Sequence, residues 1–203
     1  SVLLNAARIC DILGLKPVFT AFEPRVWPER LFRRYPETRG ARVDRDTYST
    51  VPEYAPDITH PIVIKHYQEL MAQLMADVPN LAIYEIWSQD SNAGFPWAKA
   101  IYQKANGPTR LFGQSISTIV NTFLTTLRDA SRKVNKDTRI HLNIDWCWLD
   151  DEQVELVENL PEGVGLTFGY RLLPDGNINH FDVISKLSND YTQVLSENIG
   201  NRW

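Results

Sequence analysis

The chain has 203 residues, 43% hydrophobic and 23% charged, with a formal net charge of −4. This is globular composition, long enough for one substantial core, and it excludes disordered and collagen-like classes. Lys and Arg are scattered rather than striped, which leaves nucleic acid without a basic footprint. No run approaches the roughly 18 apolar residues of a membrane span, and the N-terminus has no basic-then-apolar leader pattern. The expected partner is therefore neutral or polar, with no nucleic acid and no membrane. Cys10 and Cys147 have no motif spacing and read as two small buried hydrophobes. Compartment stays open, with a periplasmic or extracellular setting favoured over a cytoplasmic one.

In chain order, Leu3, Ala6, Ala7, Cys10 and Leu13 recur at helical spacing, with Gly14 as the cap, and an apolar strand follows from Lys16 to Phe22. Residues 24–60 are polar, rich in Pro, Arg and Asp, and have no sustained period. That is long for a connection inside a compact domain, so it reads as a functional lid or wall. The charge run from Glu29 to Arg34 reads as solvated surface. Pro61 suits a first helical position, and Val63, Tyr67, Leu70, Met71, Leu74, Met75 and Val78 form one apolar face before Pro79-Asn80.

A strand over 81–88 follows, then a loop to residue 114. Ile116, Ile119, Val120, Phe123, Leu124, Leu127 and Ala130 define another amphipathic helix. Arg139 to Asp145 reads as a third strand, Asp151 to Leu160 as a short helix and Val164 to Tyr170 as a fourth strand. Phe181 to Ile199 reads as a last helix after the turn Pro174-Asp175-Gly176.

Strands separated by helices imply parallel pairing with right-handed crossovers. The expected class is α/β, either a doubly wound sheet or, preferred, a (β/α) TIM-barrel type with four parallel strand–helix units. Four strands cannot close an eight-stranded barrel, which typically needs about 250 residues. Residues 1–203 are accordingly read as one catalytic-domain segment of a larger chain.

The most informative run is Leu81 to Trp97: a buried-strand pattern that opens into Ser88-Gln89-Asp90-Ser91-Asn92. Ser91, Asn92, Gly94 and Pro96 end the strand, so Asp90 is expected at its C-terminal rim, where parallel α/β folds carry their active sites. The order Gly14-Leu15-Lys16-Pro17-Val18, Phe22-Glu23-Pro24, His60-Pro61, Pro79-Asn80-Leu81 and Trp87-Ser88-Gln89-Asp90-Ser91 resembles the middle of a glycoside hydrolase barrel. It is similar to hexosaminidase-like and α-glucuronidase-like enzymes, especially large bacterial relatives, which implies polysaccharide degradation and places these strands third to sixth in the barrel. Gln89-Asp90 stands where hexosaminidases carry Asp-Glu, whose first carboxylate acetamido-assisted chemistry needs.

Glycoside hydrolysis commonly uses two carboxyl groups, one protonated for the leaving oxygen and one ionised. Asp90 is the candidate acid, its pKa open to being raised by Trp87 and Phe95; a loop-bracing Asp is the alternative. Asp145, before Trp146, is the candidate partner, with an N-cap as the alternative. Glu23 either binds a sugar hydroxyl or pairs with Arg25, and Glu85 reads as a partnered strand residue. Gln89, Ser91 and Asn92 either orient Asp90 or hold sugar hydroxyls.

Trp27, Trp87, Trp97, Trp146 and Trp148 lie at or after strand ends, where an indole either stacks on a pyranose face or packs in the core. Tyr170-Arg171 ends the fourth strand, and its Arg either binds a carboxylate, as of a uronic acid, or pairs at the surface. His60, His66, His141 and His180 lack ligand spacing, so no metal is expected. No phosphate loop or Gly-x-Ser-x-Gly elbow occurs, and no cofactor is expected. A glycosidase acting on an oligosaccharide or glycoside is the first expectation; a non-catalytic carbohydrate-binding barrel module is the second, and a barrel-like lyase or isomerase the third.

Overall fold

The computed structural model describes residues 1–44, 49–88, 93–96, 107–143, 150–169 and 194–196. Helix α1 spans Val2–Ile12, capped by the Ser1 hydroxyl, which accepts from the Leu4 N–H at 3.2 Å. Gly14 follows at φ 66, a left-handed conformation that glycine adopts without Cβ strain. Strand β1 is Val18–Phe22. Helix α3, Pro61–Asp77, starts on His60, whose Nδ1 accepts from the Ile62 N–H. It buries Val63, Tyr67, Met71, Leu74 and Met75, as its periodicity predicts. Strand β4 is Ile83–Trp87. Helix α4, Ile116–Arg132, is capped by Ser115 and buries all seven residues of its predicted stripe. Strand β5 is Arg139–Asn143, helix α5 Asp150–Glu158 and strand β6 Val164–Gly169.

Between β1 and α3, the expected periodless stretch holds a short helix α2, Glu29–Arg34, and a two-stranded antiparallel ribbon of β2, Arg39–Arg42, and β3, Tyr54–Pro56. Gly40 permits this ribbon: a Cβ there would meet the Pro56 carbonyl carbon at 2.5 Å. The charge run is partly tethered, since Glu29 pairs with Arg39 at 2.6 Å and Phe32 is buried. Cys10 is half-buried rather than buried, because it lies on a helix whose Ile9 and Ile12 neighbours face solvent. Cys147 lies outside the described residues.

The main sheet has the order β1-β4-β5-β6-β7, all pairs parallel. Strand β7, Val194–Ser196, corrects the expected last helix over Phe181–Ile199 and gives the main sheet, among the described residues, five parallel strands rather than four. Its residues hydrogen-bond along Thr167–Gly169, a long-range pairing that overrides the local helical reading. The remainder of that expected helix lies outside the described residues.

The strands run in sequence order with no reversal, whereas a doubly wound sheet reverses at its switch point. Residues of α1, α3, α4 and α5 join Tyr84, Ile86, Ile140, Leu142, Val164 and Leu166 in one core cluster, so the helices share one face of the sheet. Burial of each large apolar side chain there contributes about 1.5–3 kcal/mol. A mixed α/β unit of this order, with one helical layer, is compatible with a partial (β/α)-barrel.

Candidate active site at the strand ends

Strand side chains alternate faces, so the positions between the core residues point to the sheet's other face. In-register pairing aligns them into two rows. Thr20, Glu85, His141 and Gly165 form one row; Phe22, Trp87, Asn143 and Thr167 form the next, one step nearer the strands' C-terminal ends. This face is polar where the helix face is apolar, which suits a barrel interior more than a second helical layer.

Glu85 accepts a hydrogen bond from the Thr20 hydroxyl at 2.7 Å, the partnered strand role expected of it. His141 is fully buried, with Nδ1 3.4 Å from the Thr167 hydroxyl and Nε2 without a partner among the described residues. Burial, and secondarily the Arg139 charge, pushes its pKa down from 6.5 to about 4, so the ring is neutral at physiological pH. Phe22 and Trp87 pack with ring centroids 5.7 Å apart, giving an aromatic shelf at the tips of β1 and β4.

The tip of β1 is built around Glu23. Its carboxylate turns to the helix face and accepts from the Tyr67 hydroxyl at 2.6 Å and the Arg25 N–H at 2.9 Å. Burial raises its pKa against the opposing pull of those two hydrogen bonds and the Arg25 charge. Its contact with Arg25 runs through the Arg25 backbone N–H. Its own N–H donates to the Trp87 carbonyl at 3.1 Å, and the Gly94 N–H donates to the Pro24 carbonyl at 3.0 Å. Arg25 and Ala93 form an antiparallel bridge. Glu23 and Arg25 also edge a cleft of about 690 Å³ between α1 and α3, floored by Phe19 and Tyr84.

Trp27 is stacked on Phe32 at 6.2 Å and edge-on to His66 at 5.1 Å. Asp90, Asp145, Gln89, Asn92, Trp97, Trp146, Trp148, Tyr170 and Arg171 lie outside the described residues. Two features escaped the sequence. Asp57, fully buried, accepts from the Thr59 N–H and hydroxyl and pairs with Arg110, tying the segment before α4 to the start of α3. The second is the buried His141, whose Nε2 has no hydrogen-bond partner among the described residues. Asp57 has a readable signal, an Asx turn of Asp two residues before Thr just ahead of a Pro-initiated helix, whereas His141 needs strand pairing to interpret. Among the described residues no three His, Cys, Asp or Glu side chains gather as a metal site.

No family model matches the chain, and no curated protein sequence matches it. Among solved structures, a family 89 glycoside hydrolase from Clostridium perfringens, in complex with 2-acetamido-1,2-dideoxynojirmycin, superposes with a TM-score of 0.54 at 8% identity, over 93% of this chain and 19% of that one. An α-galactosidase from Lactobacillus brevis gives a TM-score of 0.44 at 11% identity, over 98% of this chain and 30% of that one. A family 36 α-galactosidase from Geobacillus stearothermophilus, in complex with raffinose, gives 0.43 at 10%, over 97% and 30%. The first of these establishes a likeness of fold to a glycoside hydrolase. This chain spans between 19% and 30% of the length of these proteins.

Proposed function

We propose that this chain belongs to the catalytic barrel of a glycoside hydrolase, with Asp90 as general acid beyond β4 and Asp145 as its partner carboxylate beyond β5. One observation carries the proposal. Strands β4 and β5 are neighbours, parallel and in register to their last residues, Trp87 opposite Asn143. The chain therefore leaves the sheet toward Asp90 and toward Asp145 from points about 4.8 Å apart. Paired glycosidase carboxyl groups stand about 5–10 Å apart, a span that two short excursions from adjacent strand tips readily reach.

In this scheme Asp90 protonates the glycosidic oxygen, and Asp145 attacks the anomeric carbon or activates water against it. The Phe22–Trp87 shelf offers an apolar surface to a pyranose face, and Trp97, Trp146 and Trp148 supply further stacking groups. Gln89 and Asn92 serve sugar hydroxyls, and Arg171, after Tyr170, suits a substrate carboxylate. The sheet would continue into a closed eight-stranded barrel in the larger protein. The superposition on the Clostridium perfringens enzyme supports this scheme at the level of fold.

Asp90→Asn and Asp145→Asn in the full-length protein, assayed on a panel of nitrophenyl glycosides, test the proposal. Each variant is expected to fold normally and to lose at least about 100-fold in kcat, the scale of a missing acid or base. If both retain wild-type turnover, the carboxylate assignment is wrong. If the wild-type protein binds the glycosides without cleaving any, the carbohydrate-binding module takes its place.

A further inference from the structure

We propose that Glu23 is a positioning residue that holds the described residues on either side of the segment carrying Asp90, acting through backbone hydrogen bonds rather than as a sugar ligand. This rests on the role assigned to Asp90 above. Strand β4 ends at Trp87, and after Ser88 the chain is next described at Ala93; Trp87 and Ala93-Gly94 are held by the same three residues of the β1 tip. The Glu23 N–H holds the Trp87 carbonyl, the Pro24 carbonyl holds the Gly94 N–H, and Arg25 bridges Ala93. Asp90 is thus three residues from one clamp and three from the other.

What fixes the clamp itself is the Glu23 side chain. A tip that ran straight on from β1 would be an edge with nothing to hold its turn. Here the carboxylate folds back to accept the Arg25 N–H at 2.9 Å, closing a local ring. It is then anchored to α3 by the Tyr67 hydroxyl at 2.6 Å. Tyr67 in turn is 2% exposed, with its ring edge-on to Phe123 at 4.7 Å, so the anchor reaches into the core between α3 and α4. Glu23 is 9% exposed and points to the helix face, opposite the Phe22–Trp87 shelf, which leaves it poorly placed to meet a substrate on that shelf. Phe95, fully buried and 6.0 Å from Phe123, extends the same support beyond Gly94. Tyr67 and Phe95 meet on Phe123, so the anchor and the returning loop share one core contact.

Amide hydrogen exchange in the full-length protein, read on the peptide containing Gly94 and compared with peptides of α4, decides the matter. Glu23→Ala removes the acceptor for both donors and is expected to speed Gly94 exchange at least about tenfold while α4 exchange is unchanged. Glu23→Gln keeps an oxygen that accepts both hydrogen bonds and is expected to preserve wild-type protection. Should Glu23→Ala fail to fold, Tyr67→Phe removes one donor while keeping the ring and is expected to give an intermediate acceleration confined to the same peptide. Unchanged Gly94 exchange in Glu23→Ala or Tyr67→Phe, or acceleration spread equally over α4, overturns the proposal. Hydrolysis of nitrophenyl glycosides by the same variants separates the two claims. A fall in kcat that follows Gly94 exchange, with Glu23→Gln near wild type, supports both. A wild-type protein that cleaves no glycoside refutes the assignment of Asp90 while the exchange data still decide the role of Glu23.

Discussion

His141 makes the stability of this fold depend on pH in a direction that the structure specifies. The imidazole lies across Gly165 on the neighbouring strand, fully buried, with Thr167 in hydrogen-bond reach and with the Arg139 charge along the same strand. Its folded pKa is pushed down from 6.5 to about 4, chiefly by burial. A histidine with a depressed pKa contributes its full share of stability above the unfolded value of 6.5 and loses it as pH falls to about 4, because the unfolded chain takes up the proton first. The difference corresponds to about 3 kcal/mol, a large part of the roughly 5–15 kcal/mol that holds a typical domain together. Thermal melts of wild-type protein and His141→Gln, from about pH 7.5, one unit above the ordinary histidine value, down to about pH 4, the folded value, test it. Glutamine does not titrate, and all other groups titrate alike in both proteins, so the difference in Tm isolates this ring. The wild-type protein is expected to lose about 6–12 °C relative to the variant across that window. Parallel pH profiles would show that His141 is not buried neutral and would refute the inner-face packing.

Other consequences follow from single contacts. A methyl group at Gly165 would meet His141 Nε2 at 2.7 Å and Cδ2 at 2.9 Å, so Gly165→Ala is expected to cost about 1–3 kcal/mol in denaturant melts, and His141→Ala in the same chain should recover part of it. Arg110→Ala leaves the Asp57 carboxylate, 0% exposed, without its cation, whereas Asp57→Asn leaves an Arg that reaches water. Melts should therefore show a loss of about 3 kcal/mol for the first and a smaller one for the second. The 203-residue chain alone exposes Val2, Ile12, Leu13 and Val18 beside the edge of β1 that pairs with no strand among the described residues, and sedimentation should show dimers or larger species; a monodisperse, cooperatively melting monomer would contradict that expectation.

The local part of this fold was legible. The stripe from Ile116 to Ala130 is buried residue for residue, because a 3.6-residue period is a property of the helix alone. Pro61 and the runs at 83–87, 139–143 and 164–169 fell where apolar β-rich patterns and turn residues put them. What failed was non-local. Strands β2 and β3 are four and three residues long, without alternation, and exist because Gly40 lets Pro56 approach. Val194–Ser196 is a strand because Thr167–Gly169 offers it an edge. At the site, the anchoring of Glu23 by Tyr67 spans 44 residues, and only the need of a buried tyrosine hydroxyl for a partner hinted at it. The row Thr20, Glu85, His141 depends on register between strands more than 50 residues apart in sequence, which no window of sequence contains.

An experimental structure of the full-length protein, crystallised with a monosaccharide soaked in, gives the most direct test through one distance, that between the carboxyl groups of Asp90 and Asp145. Both are expected on the open end of the sheet, about 5–10 Å apart, with the sugar between them and against Trp87. An Asp90 carboxylate directed among the outer helices, or a separation well beyond that range with the sugar bound elsewhere, would contradict a glycosidase site at the tips of β4 and β5.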